Sequence, residues 1–242
     1  MKKTVKVSFI AMALGGLLLQ SCKDKPQKIE LRDTTSQNQS LPDQSKDEIG
    51  YIENKKINLN GEVAKDLQDG YKGERTAIAK YQAYSKKAEE EGYQEVALLF
   101  KTVALAETVH ATNHQAIMEM EGIKVPEVKP EYPLKSTMEN LKDAIGGETY
   151  EAKSMYPKFI KDANVAGNNM AQMSFTYAYN VEKKHREFYK AALKDLEAKN
   201  LDALASVYYI CPICGNTYAG EAPERCEITL AKSDTFTKVD AL

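Results

Sequence analysis

A chain of 242 residues leaves room for one large domain or two modest ones. Its composition, rich in Ala, Glu, Lys and Leu and without Trp, favours helix. The net charge of −2 gives no basis for nucleic-acid binding, and with only four cysteines and three histidines each of these residues needs its own account.

The first element is a leader. Residues 1–22 open with Lys2, Lys3 and Lys6, continue in an apolar run from Val7 to Leu19, and close on Gln20-Ser21-Cys22. A basic start, a short apolar core and a small residue before the cut describe a secretory signal. The run is too short for a comfortable transmembrane helix. A cysteine directly after the small residue resembles a bacterial lipobox, in which that cysteine is acylated and becomes the mature N-terminus. The expectation is an exported lipoprotein, membrane-anchored through Cys22 on the periplasmic or cell-surface side. A cleaved signal with a chance cysteine is the alternative. Residues 23–57 are polar and rich in Ser, Gln, Asp and Lys. They cannot bury enough apolar surface to order themselves, so they are expected to be a disordered tether.

From residue 58 to 200 the pattern is helical. Asn58 or Asn60 can cap a first helix that runs to about Glu91, before Gly92. A second runs from about Tyr93 to Glu121, before Gly122. The segment KVPEVKPEYP, with three prolines, is an extended crossover. Ser136-Thr137-Met138-Glu139 is a capping box that opens a third helix. A fourth begins near Ala166 and ends near Asn200. Four long helices with one long connection predict an all-α, ferritin-like four-helix bundle.

Each helix carries an inward stripe at i+3/i+4 spacing, and polar groups interrupt the centre of each one. The second reads Phe100, Val103, Glu107, His110, His114, Ile117. The fourth reads Phe175, Ala178, Glu182, His185, Tyr189, Ala192. The third reads Leu141, Ile145, Glu148, Glu151 or Ala152, Met155, Phe159, and the first reads Glu74, Ile78, Tyr81, Ala88. The spacing from Glu74 to Glu148 nearly equals that from Glu107 to Glu182, as in a duplicated helical hairpin.

Two of the three histidines sit in Glu-x-x-His, at Glu107–His110 and Glu182–His185. Residues three apart share a helix face, so each motif presents an oxygen and a nitrogen to one ion. Taken singly, a glutamate on a helix is solvated and a histidine on an apolar face is packed. As a set, five carboxylates in one core would each cost several kcal/mol unless neutralised. Two divalent cations supply that neutralisation. One Glu from each of two helices plus Glu-x-x-His from each of the other two is the donor pattern of di-iron carboxylate bundles, here with one extra Glu. Such donors suit iron or manganese.

These motifs resemble those of the rubrerythrin family of peroxide-reducing di-iron proteins. The matching pieces are GER at 73–75, AETVH at 106–110, GGETYE at 146–151, MYP at 155–157 and VEKKH at 181–185. The resemblance spans about residues 60–239. It implies that Glu74, Glu107, His110, Glu148, Glu182 and His185 ligate two iron ions. It implies that Glu151 is a switching carboxylate that exchanges with His110. It implies that Tyr81 and Tyr156 hydrogen-bond to ligand carboxylates, although from spacing alone core packing explains them equally well. His114 is not part of the motif and reads as a packed or partly exposed side chain.

The tail, residues 201–242, is turn-rich and resembles the family's rubredoxin-like module, in which four thiolates from two knuckles hold one iron. Cys211, Cys214 and Cys226 match; Thr229 stands at the fourth position, and Leu230 where a glycine usually follows. Three readings stay open. The site holds iron or zinc through three cysteines plus water or a carboxylate such as Glu227 or Asp234. It is empty, with Cys211 and Cys214 as thiols or a disulfide. Or Thr229 is a change from the natural residue. The resemblance implies a peroxidase that reduces hydrogen peroxide to water. Its electrons would come from a rubredoxin-like centre, a rubredoxin or a reductase, across a head-to-tail homodimer. An iron-binding, ferroxidase-type storage protein with a silent tail is the alternative, and a structural lipoprotein with a relic bundle is a third.

Overall fold

The computed structural model describes the backbone from Ser45 and the side chains from Asn60, in both cases through Leu242. The leader, Cys22 and the tether up to residue 44 lie outside the described residues. The helices are α1 (Ser45–Glu90), α2 (Gln94–Met120), α3 (Thr137–Tyr150), α4 (Tyr156–Ala166) and α5 (Asn169–Ala198). A five-residue π-helical segment, Glu151–Met155, joins α3 to α4, so the third limb of the bundle is one helical run with a local widening. Among the described residues no helix is long and apolar enough to cross a membrane.

One boundary differs from expectation. The first helix begins at Ser45, not near residue 58, so residues 45–57 are helical and not part of a disordered tether. Extending an established helix costs no new nucleation, and Lys, Glu and Ile in this stretch tolerate it. The capping box at the start of α3 forms as expected. Glu139 N–H donates to Ser136 Oγ, and Ser136 N–H donates back to Glu139 Oε2.

The π segment follows from Pro157. In a regular α-helix the Lys153 carbonyl would meet the nitrogen of Pro157, which has no proton. The ladder shifts instead, and Tyr156 N–H donates to the Glu151 carbonyl five residues back.

Two apolar clusters fill the bundle. One gathers Tyr81, Tyr84, Leu99, Phe100, Leu141 and Tyr189, and the other Leu67, Met118, Tyr156, Phe159 and Phe175. Burying each such side chain contributes about 1.5–3 kcal/mol. Along α2 the first cluster ends at Ala106 and the second begins at Ala111. The Glu107–His110 turn lies between them, as does the Glu182–His185 turn on α5.

After α5 the chain forms a three-stranded antiparallel sheet in the order β2-β1-β3, with β1 Tyr208–Ile210, β2 Thr217–Ala219 and β3 Thr237–Val239. Tyr209 pairs with Tyr218 on one side and Lys238 on the other. This module shares the bundle's core, since Tyr208, Ile210 and Val239 belong to the first apolar cluster.

Candidate metal centre

Each helix of the bundle delivers its central polar residue to one buried layer. Glu74 comes from α1, Glu107 and His110 from α2, Glu148 from α3, and Glu182 and His185 from α5. All six are buried. They form two groups, Glu74–Glu107–His110–Glu182 and Glu107–Glu148–Glu182–His185, whose donor atoms lie within 4.8 Å of one another. Glu107 and Glu182 belong to both.

The ring nitrogens have fixed roles. His110 Nε2 lies 3.0 Å from the Cys214 carbonyl, which can only accept, so Nε2 carries the proton. His185 Nε2 lies 3.1 Å from Thr217 Oγ1, whose own proton goes to the Gly215 carbonyl, so here too Nε2 donates. In the neutral form of either ring Nδ1 is therefore bare. His110 Nδ1 faces Glu107 Oε2 at 2.7 Å and Glu182 Oε1 at 2.9 Å. His185 Nδ1 faces Glu107 Oε1 at 3.1 Å and Glu182 Oε2 at 3.0 Å. A bare nitrogen against carboxylates in a dry core is repulsive unless a proton or a metal ion lies between them.

Electrostatics give the same answer. Burial, then the charge of Glu107, pushes the carboxyls of Glu74, Glu148 and Glu182 well above the usual range. Burial would raise Glu107 as well, but the two imidazoles hold it below that range. Burial would lower His110, yet Glu107 and Glu74 push it up to about 9. Glu74 Oε2 and Glu148 Oε2 are buried without a hydrogen bond. Glu182 Oε1 also lacks one, because its approach to His110 Nδ1 does not have hydrogen-bond geometry. Orphaned carboxylate oxygens, bare imidazole nitrogens and two overlapping groups fit a pair of cations.

Both tyrosines reach carboxylates. Tyr81 donates to Glu148 Oε1 at 2.6 Å, and Tyr156 donates to Glu74 Oε1. Glu151 stands apart from both groups. It lines a cleft of about 670 Å³ between α1 and the π segment, together with Tyr81, Gly73, Met155 and Phe159. His114, read from sequence as packed or partly exposed, is fully buried and bonded to Tyr156 and Ser174. Sequence reasoning missed Ser174 and the module's Cys214 carbonyl and Thr217. Contacts of this kind depend on how distant segments dock, and no motif marks them.

The module seats its knuckle on this layer. Gly215 has φ +77, and a Cβ there would fall 2.6 Å from His110 Nε2. Glycine is required both for the turn and for the approach. Cys211, Cys214 and Cys226 are buried, free and clustered within 4.8 Å. Thr229 Oγ1 lies 3.3 Å from Cys211 Sγ and occupies the fourth corner. Glu227 is turned away, paired with Lys184 at 2.8 Å and Asn216 at 3.1 Å. The second knuckle keeps the turn of the first: Leu230 N–H donates to the Cys226 carbonyl at 2.9 Å, as Gly215 N–H does to Cys211. Leu230 does so at φ 61, a strained value for a non-glycine residue. The neighbouring Cys214 thiol, against the effect of burial, brings Cys211 down to about 5. The hydrogen bond between the two, with burial, pushes Cys214 well above the usual thiol range. In the metal-free cluster the proton therefore sits on Cys214 and the thiolate on Cys211, and a thiolate is the form that takes a metal.

Comparison with known proteins agrees with this geometry. The family model described as Rubrerythrin matches residues 65–193. Nigerythrin of Nitratidesulfovibrio vulgaris is 38% identical over 73% of this chain and 86% of its own length. Rubrerythrin-2 of Clostridium acetobutylicum is 34% identical over 73% of this chain and 96% of its own. The solved structure of fully reduced, all-ferrous nigerythrin superposes with a TM-score of 0.66, at 38% identity over 73% of this chain and 86% of that one. A bacterioferritin of Desulfovibrio desulfuricans, at 17% identity and a TM-score of 0.57, shares the bundle fold over 69% of this chain and 98% of its own. Family model, relatives and buried donor layer converge, and the chain belongs to the rubrerythrin family of di-iron oxidoreductases.

Proposed function

We propose that the chain is a di-iron peroxidase that reduces hydrogen peroxide to water. The observation that carries this reading is the pair of four-residue groups sharing Glu107 and Glu182, with a cleft beside them that ends on Glu151. Glu74 and His110 would hold one iron, Glu148 and His185 the other, and Glu107 and Glu182, which belong to both groups, would serve both. A pair of ferrous ions bound there would supply two electrons, which with two protons take hydrogen peroxide to two waters.

The protein's own groups do the rest. The cleft admits a small ligand to Glu151, the fifth carboxylate of the site and the one closest to solvent. Tyr81 and Tyr156 fix the orientation of Glu148 and Glu74, so the layer does not rearrange on each encounter. The apolar clusters on either side keep bulk water from the layer. His110 Nε2–H bonded to the Cys214 carbonyl is a short path by which an electron from the cysteine module reaches the centre.

The test is stopped-flow mixing of the reduced protein with hydrogen peroxide. Rapid oxidation of the irons is expected, with at least a hundredfold loss in Glu107→Ala. Equal rates in the two proteins would falsify the proposal.

Thr229 at the fourth corner favours a second reading, an iron-storing protein whose tail passes no electrons. Thr229→Cys separates the two. If the module is a weakened relay, the variant binds a third iron, turns red and takes up electrons faster at the centre. If the tail is silent, the colour changes and the rate of electron uptake does not.

The leader and Cys22 lead us to propose export and anchoring to a bacterial membrane. Acyl labelling of the chain, lost in Cys22→Ser, is the expected result. Labelling that persists in Cys22→Ser would sink it.

A further inference from the structure

His114 is buried beside the metal layer and has no part in the family motif, yet every polar atom on its ring is used. Nε2 lies 3.0 Å from the Tyr156 hydroxyl, and Nδ1 lies 2.8 Å from Ser174 Oγ. Tyr156 in turn bonds to Glu74 Oε1. The four residues come from α2, α4, α5 and α1, so one chain of hydrogen bonds ties four helices to one ligand carboxylate.

The direction of each bond follows from counting protons. A ligating carboxylate only accepts, so the single proton of the Tyr156 hydroxyl goes to Glu74. The tyrosine oxygen then accepts from His114, which places the imidazole proton on Nε2. Nδ1 is left bare and accepts from the Ser174 hydroxyl. Donors run Ser174 to His114 to Tyr156 to Glu74, all pointing toward the metal layer. Bonds aligned in this way polarise one another. Burial holds the His114 ring down to about 3, so it stays neutral as the chain requires.

The site is built around this ring. A Cβ at Gly70 would lie 3.3 Å from His114 Cδ2 and Nε2, so α1 presents its barest residue to the imidazole edge. Phe175 packs against the ring at 5.3 Å between centroids.

The other half of the centre has no counterpart. Tyr81 donates to Glu148 at 2.6 Å, but behind it stand Tyr189, Phe100 and Tyr84. Among the described residues no second hydrogen bond reaches the Tyr81 hydroxyl. The duplicated hairpins therefore differ in what backs the tyrosine: a polar relay on the Glu74 side and aromatic rings on the Glu148 side.

We infer that His114 is a positioning residue that, through Tyr156, orients Glu74 and makes the two metal seats inequivalent. This rests on the assignment of the carboxylate layer as the di-iron centre. Its readout is separate from turnover.

The test is Mössbauer spectroscopy of the whole protein loaded with iron-57. The wild type is expected to show two distinct iron signals of equal weight. His114→Leu should move one of them and leave the other. Tyr156→Phe should move the same one, and the double variant should add nothing further. His114→Gln, which keeps a donor near the position of Nε2, should restore the wild-type signal. If His114→Leu does not fold, Ser174→Ala against the wild type carries the comparison, with a smaller shift of the same signal. Two irons whose signals ignore both His114→Leu and Ser174→Ala would overturn this inference alone. A shift that adds to that of Tyr156→Phe, or that His114→Gln does not restore, would overturn it too. A wild type without two irons would instead overturn the reading of the centre.

Discussion

Glu151 sits at the inner end of the cleft, where burial and the charge of Glu107 push its carboxyl up to about 8 from an ordinary 4.5. His110 is held up at about 9, and Glu74, Glu148 and Glu182 are raised well above their usual range. In the metal-free protein all of these hold protons in the folded state that the unfolded chain gives up. Such groups stabilise the fold at low pH and lose that contribution as pH rises through their folded values. His114 and His185 act oppositely, because burial keeps them neutral, but their effect belongs below their unfolded value near 6.5. Between pH 7 and 9 the lowered thiols of Cys211 and Cys226 act against the raised carboxyls and His110, but the raised groups outnumber them and set the sign. The metal-free protein should melt at lower temperature as pH rises across it, by about 1.4 kcal/mol per pH unit for each extra proton held. The iron-loaded protein should be flatter, because bound cations keep the carboxylates ionised. Thermal melts with and without a chelator measure both. A metal-free protein that gained stability from pH 7 to 9 would contradict the assignment of these buried charges.

The helices differ in how much of their role the sequence displays. On α2 and α5 the apolar period and the Glu-x-x-His insertions agree, and every residue of the two expected stripes is buried. Periodicity worked there because a regular helix maps spacing directly onto a face. The third limb was harder. Its stripe places Glu148, Met155 and Phe159 correctly, but the π segment between them is a consequence of Pro157 and shifts the register by one residue. Without that shift Tyr156 would sit about 100° round the helix from its position against Glu74. Tyrosine at helical spacing is equally consistent with packing, so the hydrogen bonds of Tyr81 and Tyr156 needed either a family resemblance or a structure. The start of α1 lies earlier than polar composition predicts, because a polar stretch that cannot nucleate a helix can still extend one.

At the scale of the whole molecule, bundle and module behave as one body because they share a core. The family resemblance implies a module that serves a partner's centre in a head-to-tail homodimer. Within the single chain, the knuckle touches His110 and β2 touches His185 of the same bundle. Two kinds of contact hold it there, and their magnitudes separate them. The polar contacts are Asn113 Nδ2 to the Ile213 carbonyl at 2.9 Å and Lys184 Nζ to Asn216 and Glu227, each at 2.8 Å. Partly exposed contacts of this type contribute about 1 kcal/mol or less each. Ile210, by contrast, is 2% exposed within the bundle's own cluster, and truncating such a residue to Ala costs about 2–5 kcal/mol. Ile210→Ala should therefore lower the melting temperature of bundle and module together, within a single calorimetric transition. Asn113→Ala combined with Lys184→Ala should leave the melt nearly unchanged. If the module instead melted as a separate, earlier transition in the wild type, the shared core would not be what couples them. Its contact with His110 and His185 would then be a docking equilibrium and not part of the fold.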